Sequence, residues 1–279
     1  MINCFFVSDI HGKIDKYKKL FEEIKSEKPD VVMLGGDLLP HYFGGKNFIN
    51  DFLIPGFKSV NETLNDQYPK VFVILGNDDA RSEEPFIFQT EQTGLFKYIH
   101  FKNVHLYQYK LFGYSFTPPS PFVLKDWEKY DVSRYVDPGC ISPEEGKRTI
   151  EVSTDEKKFS TIKSDLEKLT DEMDLSNSIF LFHGPPYKTN LDRAALDGKM
   201  IDNAPLDVHV GSIAIKNFIE EKQPLLTLHG HIHESARITG NWKDKIGKTI
   251  CFGAAHDGPE LAIVQFDLDD LTKAGRILI

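Results

Sequence analysis

Three short runs of β-branched and aromatic residues, 2–7, 31–34 and 71–75, punctuate the first hundred residues of the chain. Between the first two, Ile14, Tyr17, Leu20, Phe21 and Ile24 recur at near-helical intervals among lysines and glutamates, and Pro29 ends the pattern. The alternation predicts β-α-β-α-β, the arrangement of a mostly parallel sheet. Beyond His100 the texture changes, and 104–109 and 111–116 read as short strands. The segment TPPSPFVLKDWEKYDVSRYVDPGCISPEEG is rich in Pro, Gly and aromatics. It reads as a loop excursion, packed across the surface or meeting another subunit, rather than as a gate over a substrate.

Helical spacing returns at 156–172 through Phe159, Ile162, Leu166 and Leu169. A strand SIFLFHG follows, then a polar stretch from 187 to 209, a helix near 212–222 and the strand-bearing segment PLLTLHGHIHES. Three further strand-like runs lie at 249–252, 261–266 and 276–279. No repeat, low-complexity segment or linker interrupts the chain, so a single domain over 1–279 is expected.

Composition narrows the function classes. Lys and Arg number 33 against 42 Asp and Glu, a formal net charge of -9, so no basic surface for long nucleic acid is implied. Cys4, Cys140 and Cys251 are far apart and form no CxxC, which argues against a disulfide framework and a zinc-cysteine site. The N-terminal MINCFFVSDIHG lacks the basic start and length of a signal peptide. No run approaches the roughly 18 apolar residues of a membrane span, and a cytoplasmic location is expected.

The chemistry is concentrated where strands stop. FFVSDIHG, VVMLGGDLLP, VFVILGNDDA, IFLFHGPP and LLTLHGHIHES each place Asp, Asn or His just beyond an apolar run. In an open α/β sheet, ligands bind at the edge formed by the strands' carboxyl ends. Each residue has an ordinary explanation taken alone: Ser8 or Asp9 as a helix cap, Asp37 in a turn, Asn77 in an Asx turn, His183 satisfied in the core, His231 and His233 on one solvated face of an extended chain. Together, Asp9, His11, Asp37, Asn77, His183, His231 and His233 form a carboxylate, imidazole and carboxamide set suited to Mn, Fe(II) or Zn. Seven donors exceed one tetrahedral zinc and suit two ions sharing a bridge. Competing motifs fail: WKDKIGKT has Trp242 where a phosphate-binding loop needs its first Gly, HExxH is absent, and HGPPY lacks the GxSxG context.

The ordered set D-x-H (Asp9, His11), G-D (Gly36, Asp37), G-N (Gly76, Asn77), H (His183) and G-H-x-H (Gly230, His231, His233) resembles the calcineurin-like metallophosphoesterases. The HGPP and GHIHES stretches are similar in particular to the small Icc-type phosphohydrolases of bacteria. The resemblance implies an α/β fold, a four-layer α/β/β/α sandwich of two mixed sheets. It implies that Asp9, His11 and His233 hold one divalent metal, that Asn77, His183 and His231 hold the other, and that Asp37 bridges them. Among these donors only a carboxylate suits a bridge between two cations. A water or hydroxide between the metals is then the expected nucleophile toward a small phosphate ester, a phosphodiester in preference to a monoester. The alternative is a catalytically silent protein-interaction scaffold on the same fold. Repulsion among clustered carboxylates without metal argues against it.

One position departs from the family. Relatives carry His directly after Gly-Asn, as the donor of a proton to the leaving group, and here the residue is Asp78. A carboxyl beside two divalent cations is driven toward its ionised form, which makes Asp78 a poor acid. His41 and His209 are the alternative proton-transfer candidates. Otherwise the substrate is an ester whose leaving group needs no proton. Lys188 and Arg193 can be read as phosphate clamps or, more simply, as solvated loop cations.

Overall fold

A computed structural model describes residues 1–41 and 45–279. The chain runs through β1 (Asn3–Val7), α1 (Ile14–Glu27), β2 (Val31–Gly35), α2 (Gly45–Phe48), α3 (Ile54–Leu64), β3 (Lys70–Ile74), α4 (Glu84–Thr90) and β4 (Lys97–Tyr98). A second series follows: β5 (Lys102–Leu106), β6 (Tyr109–Tyr114), α5 (Thr154–Phe159), α6 (Ile162–Thr170), β7 (Ser178–Phe182), β8 (Met200–Ile201), β9 (Ala204–Pro205), α7 (Ile213–Lys222) and β10 (Leu226–His229). The last elements are α8 (Ser235–Thr239), β11 (Lys243–Ile246), β12 (Thr249–Gly253), β13 (Ala262–Asp267) and β14 (Asp270–Leu278).

Two six-stranded sheets result, ordered β14-β13-β1-β2-β3-β4 and β11-β12-β10-β7-β6-β5. In the first, β1 to β4 are parallel, β13 is antiparallel to β1, and β14 is antiparallel to β13. In the second, β12, β10, β7 and β6 are parallel, with β11 and β5 antiparallel at the edges. Successive side chains point to opposite faces of a strand, so each parallel strand contributes to two cores. Phe6, Met33, Ile74, Leu181, Leu228 and Phe252 meet between the sheets. Phe5, Val32, Leu34 and Val73 pack instead against Tyr17, Leu20, Phe57 and Val60 of α1 and α3, while Phe180 and Phe182 cover Ile215, Phe218 and Leu166 of α7 and α6. This is the α/β/β/α sandwich. Burial on both faces is why the central strands read as unbroken apolar runs rather than alternating ones. Each fully buried Phe, such as Phe6 or Phe180, contributes about 1.5–3 kcal/mol.

Several elements differ from the sequence reading. The hairpin strands β5 and β6 start two residues earlier than expected, because Tyr107 takes a left-handed φ of 54° and turns the chain there. The helix expected over 156–172 is two helices, broken where Thr161 caps α6 by accepting from Ser164 N at 3.0 Å. Phe159 therefore ends α5 at 66% exposure, outside the core, and Ile14 is likewise 46% exposed. Neither Ser8 nor Asp9 caps α1, which begins after Lys13 without a side-chain cap. The polar stretch 187–209 contains the β8–β9 hairpin, and the final strand begins at Asp270 rather than 276. Within 117–146 there is no named strand or helix, yet Lys125, Asp126, Trp127 and Glu128 are fully buried. The excursion is a packed crossing. Among the described residues, no helix is long and apolar enough to cross a membrane.

Candidate metal centre

The strand ends of both sheets converge on one cluster. Just past β1, Asp9 N and His11 N donate to Gly36 O and Asp37 O at 3.0 and 2.8 Å, fastening the first loop to the second. Past β3, Asp78 N donates to Asp37 Oδ1 at 2.8 Å. Past β10, His231 N donates to Asp9 Oδ1 at 3.0 Å. Gly230 N in turn donates to His183 O at 2.9 Å, tying the ends of β10 and β7 together.

Side-chain donors fall into two overlapping groups. Asp9, His11, Asp37 and His233 have ligand atoms within 4.8 Å of one another, as do Asp37, His183 and His231. Asp37 belongs to both. Asn77 joins the second group through Oδ1, 2.9 Å from His183 Nε2. The glycines of the motifs make room: a Cβ on Gly76 would lie 2.3 Å from Asp37 Oδ1, and one on Gly230 would lie 2.6 Å from Asp9 Oδ2. Asp9, His11, Asp37 and His231 adopt positive φ of 57°, 51°, 53° and 75°. Such backbone costs of order 1 kcal/mol or more per residue and concentrates at functional sites. It also replaces the expected extended chain at His231 and His233 with a left-handed turn.

The electrostatics are those of a buried anionic pair. Burial raises the pKa of Asp37, but His183, His11 and the Asp78 N–H outweigh it and hold the carboxyl well below its ordinary range. Burial is outweighed at Asp9 too, by His233 and His183. In return the carboxylates draw positive charge onto the rings. Against the opposing effect of burial, Asp78, Asp37 and Asp9 lift His11 to about 9, and Asp37 and Asp9 lift His183 to about 9. His231 is pushed down to about 3 by burial and the charge of His183, so its ring stays neutral.

These donors fit divalent cations. His183 Nδ1 lies 2.8 Å from Gly35 O, the contact of an N–H donor, and Nε2 faces Asn77 Oδ1 at 2.9 Å and Asp37 Oδ2 at 3.4 Å. His11 Nε2 similarly faces His233 Nε2 at 3.1 Å. In the metal-free chain the extra protons on His11 and His183 bridge these contacts, and a divalent cation would take the protons' place.

Two residues show what sequence reasoning missed. Asp79, fully buried, accepts from Leu38 N, Leu39 N and Gly76 N at 2.9, 2.7 and 2.8 Å, and thereby clamps the β2 and β3 loops. Burial and the charge of Asp37 raise it to about 7 against the pull of those N–H groups. Its one signal is the second Asp of GNDD. His229 lies between the expected ligands yet is a core residue: its ring contacts Gly184 O at 2.9 Å and Thr227 Oγ1 at 2.8 Å and stacks on Phe182.

The proton-transfer candidates separate. His41 and Asp78 join His11 in a third group, with His41 Nδ1 paired to Asp78 Oδ2 and its ring stacked on His11 at 4.8 Å. His209 joins no ligand group among the described residues and pairs with Asp192 at 2.8 Å. Arg193 is committed to Asp197, and Lys188 lies over the Tyr187 ring at 5.2 Å, as loop cations do.

Comparison with known proteins follows the same lines. No curated protein sequence matches the chain. One solved structure superposes with a TM-score of 0.59 at 15% identity, over 99% of this chain and 98% of its own. The protein TT1561 of Thermus thermophilus gives 0.56 at 15% over 99% and 98%, and a dimetal phosphatase from Danio rerio gives 0.50 at 12% over 100% and 98%. At such identities the likeness is one of fold. A family model described as calcineurin-like phosphoesterase matches residues 2–235, and the chain belongs to that family.

Proposed function

We propose that the protein is a dinuclear-metal hydrolase of small phosphate esters, phosphodiesters in preference to monoesters. The observation that carries the reading is the pair of donor groups sharing the single carboxylate Asp37. Asp9, His11 and His233 would hold one cation, Asn77, His183 and His231 the other, with Asp37 between them. Two divalent ions bound there supply a water of lowered pKa as nucleophile and positive charge for the phosphoryl oxygens. Mn, Fe(II) and Zn all suit this mixture of imidazole, carboxylate and carboxamide.

The chain's own residues do the rest. Gly35 O fixes the tautomer of His183 so that Nε2 faces inward. Asp79 keeps the β2 and β3 loops at a constant separation through its three N–H contacts. His41, with 55% of its side chain exposed and its Nδ1 turned to Asp78, is the ring placed to give a proton to a leaving group. With Asp78 where relatives carry His, any proton for the leaving group would come from His41, and an aryl diester, whose leaving group needs little proton assistance, is the favoured substrate class.

A screen of Mn, Fe(II) and Zn against an aryl phosphodiester and the matching monoester tests this reading. Metal-dependent turnover that favours the diester is expected. At saturating metal, Asp78→Ala should slow the aryl diester by less than about tenfold, since that leaving group needs little proton assistance. Absence of turnover with every metal would contradict the hydrolase reading, and a monoester preference would contradict the substrate class.

A further inference from the structure

We infer that Asp78 is a positioning residue, whose carboxylate holds His11 by Nδ1 so that Nε2 of the same ring is presented to the first cation. The inference deepens the two-metal reading and rests on it.

The His11 ring spans two environments. Its Nε2 side lies 3.1 Å from His233 Nε2 and 3.9 Å from Asp37 Oδ2, inside the donor group. Its Nδ1 side lies 3.1 Å from Asp78 Oδ2. That nitrogen is buried and makes no aligned hydrogen bond to any other group among the described residues. The contact with Asp78 has the length of a hydrogen bond without yet its angle. The carboxylate is 22% exposed. A histidine that binds a metal through one nitrogen needs an acceptor on the other, to fix the tautomer and ring orientation and to raise ligand basicity. Asp78 is the acceptor in reach.

Asp78 itself is well anchored. Its backbone N–H is fixed on Asp37 Oδ1 at 2.8 Å, and the next residue is Asp79 with its three N–H contacts. Truncating the side chain therefore leaves the Asp37 contact intact. The same carboxylate pairs with His41 Nδ1, and the His41 ring stacks on His11 at an interplanar angle of 21°. The carboxylate thus sets one ring toward the cation and lays a second ring over it.

Calorimetric titration of the metal-free full chain with Mn(II) tests the inference on wild type, Asp78→Ala, Asp78→Asn and His41→Ala. Loss of an outer-shell partner to a ligating histidine weakens metal affinity by about 10- to 100-fold. Asp78→Ala should lose this much at one of two sites and leave the other within about threefold, with Asp78→Asn, an isosteric amide acceptor, intermediate. His41→Ala, which removes the second ring that Asp78 holds but leaves the carboxylate beside His11 Nδ1, should cost less affinity at that site than Asp78→Ala. With Co(II) in place of Mn(II), wild type should show a hyperfine-shifted exchangeable proton from His11 Nδ1 that Asp78→Ala loses. Two ions bound with wild-type affinity by both Asp78 variants, or a retained proton signal, would overturn the role of Asp78 and leave the two-metal reading standing. Failure of wild type to bind Mn(II) would overturn both.

Discussion

Asp9, Asp37 and His183 at the strand ends, and Lys125, Asp126 and Glu128 in the crossing between β6 and α5, are buried to nearly the same degree, at 3% exposure or less. Their partners differ in kind. In the crossing, charge meets its complement: Lys125 pairs with Glu128 and donates to Ser120 O at 2.8 Å, Glu128 accepts from Ser120 N at 2.8 Å, and Asp126 accepts from Arg81 N and Thr149 N at 2.8 Å. At the strand ends the match rests on shared protons: His11 Nε2 meets His233 Nε2, His183 Nε2 meets Asn77 Oδ1 and Asp37 Oδ2, and His233 Nε2 lies 3.3 Å from Asp9 Oδ1. Burial of a polar group therefore does not mark a site. What marks it is a cluster of imidazoles and carboxylates that is matched only while two of its rings carry an extra proton, held in place by left-handed backbone at Asp9, His11, Asp37 and His231.

The comparison breaks most sharply under paired substitutions. Asp37→Ala removes the shared donor and should reduce ester hydrolysis by about 1000-fold or more, the order of several kcal/mol of transition-state charge stabilisation, while circular dichroism stays native. Glu128→Gln should do the reverse. Leaving Lys125 buried without its counter-charge costs about 3–5 kcal/mol of unfolding free energy, read by urea denaturation, with metal stoichiometry unchanged. If Glu128→Gln lost metal and Asp37→Ala lost stability instead, the distinction between the two regions would fail.

A smaller effect follows from His11 and His183. Both titrate near 6.5 when unfolded and are raised to about 9 in the folded chain. Their contribution to stability is thus fully present below pH 6.5 and lost as pH rises through about 9. In the presence of a chelator, the melting temperature should fall between pH 6.5 and 9. With Mn(II) that fall should shrink, since the cation takes the protons' place and remains bound at high pH. A chelated protein that becomes more stable over this range would contradict the coupling.

Much of the fold and site is legible in the sequence, for a physical reason. Strands covered on both faces must be apolar throughout, so β2, β3 and β7 stand out, and the polar residues that end them stand out in turn. The second helix of the β-α-β-α-β reading falls in the segment holding α2 and α3, but the sequence reading gives it no bounds. Pro55 and Gly56 interrupt a pattern that the chain accommodates with a π-helical turn at Ile49–Leu53 before the proline. Ile14 and Phe159 fit the helical stripes by spacing but lie beyond the packed face, which periodicity alone does not reveal. The crossing is legible only as a loop, because buried pairs such as Lys125 and Glu128 carry the composition of a solvated surface. His229 and His231, two residues apart, show the limit at the site. Spacing does not tell which ring stacks on Phe182 in the core and which faces His183 in the cluster. Asp79 is hidden for a similar reason, since a clamp on backbone N–H groups leaves no pattern in sequence.

Anomalous scattering from a crystal soaked in Mn(II) tests the central claim most directly. Two peaks are predicted, about 3.5–4 Å apart, one on either side of the Asp37 carboxylate. No peak at the strand ends, or a single ion that does not touch Asp37, would contradict it.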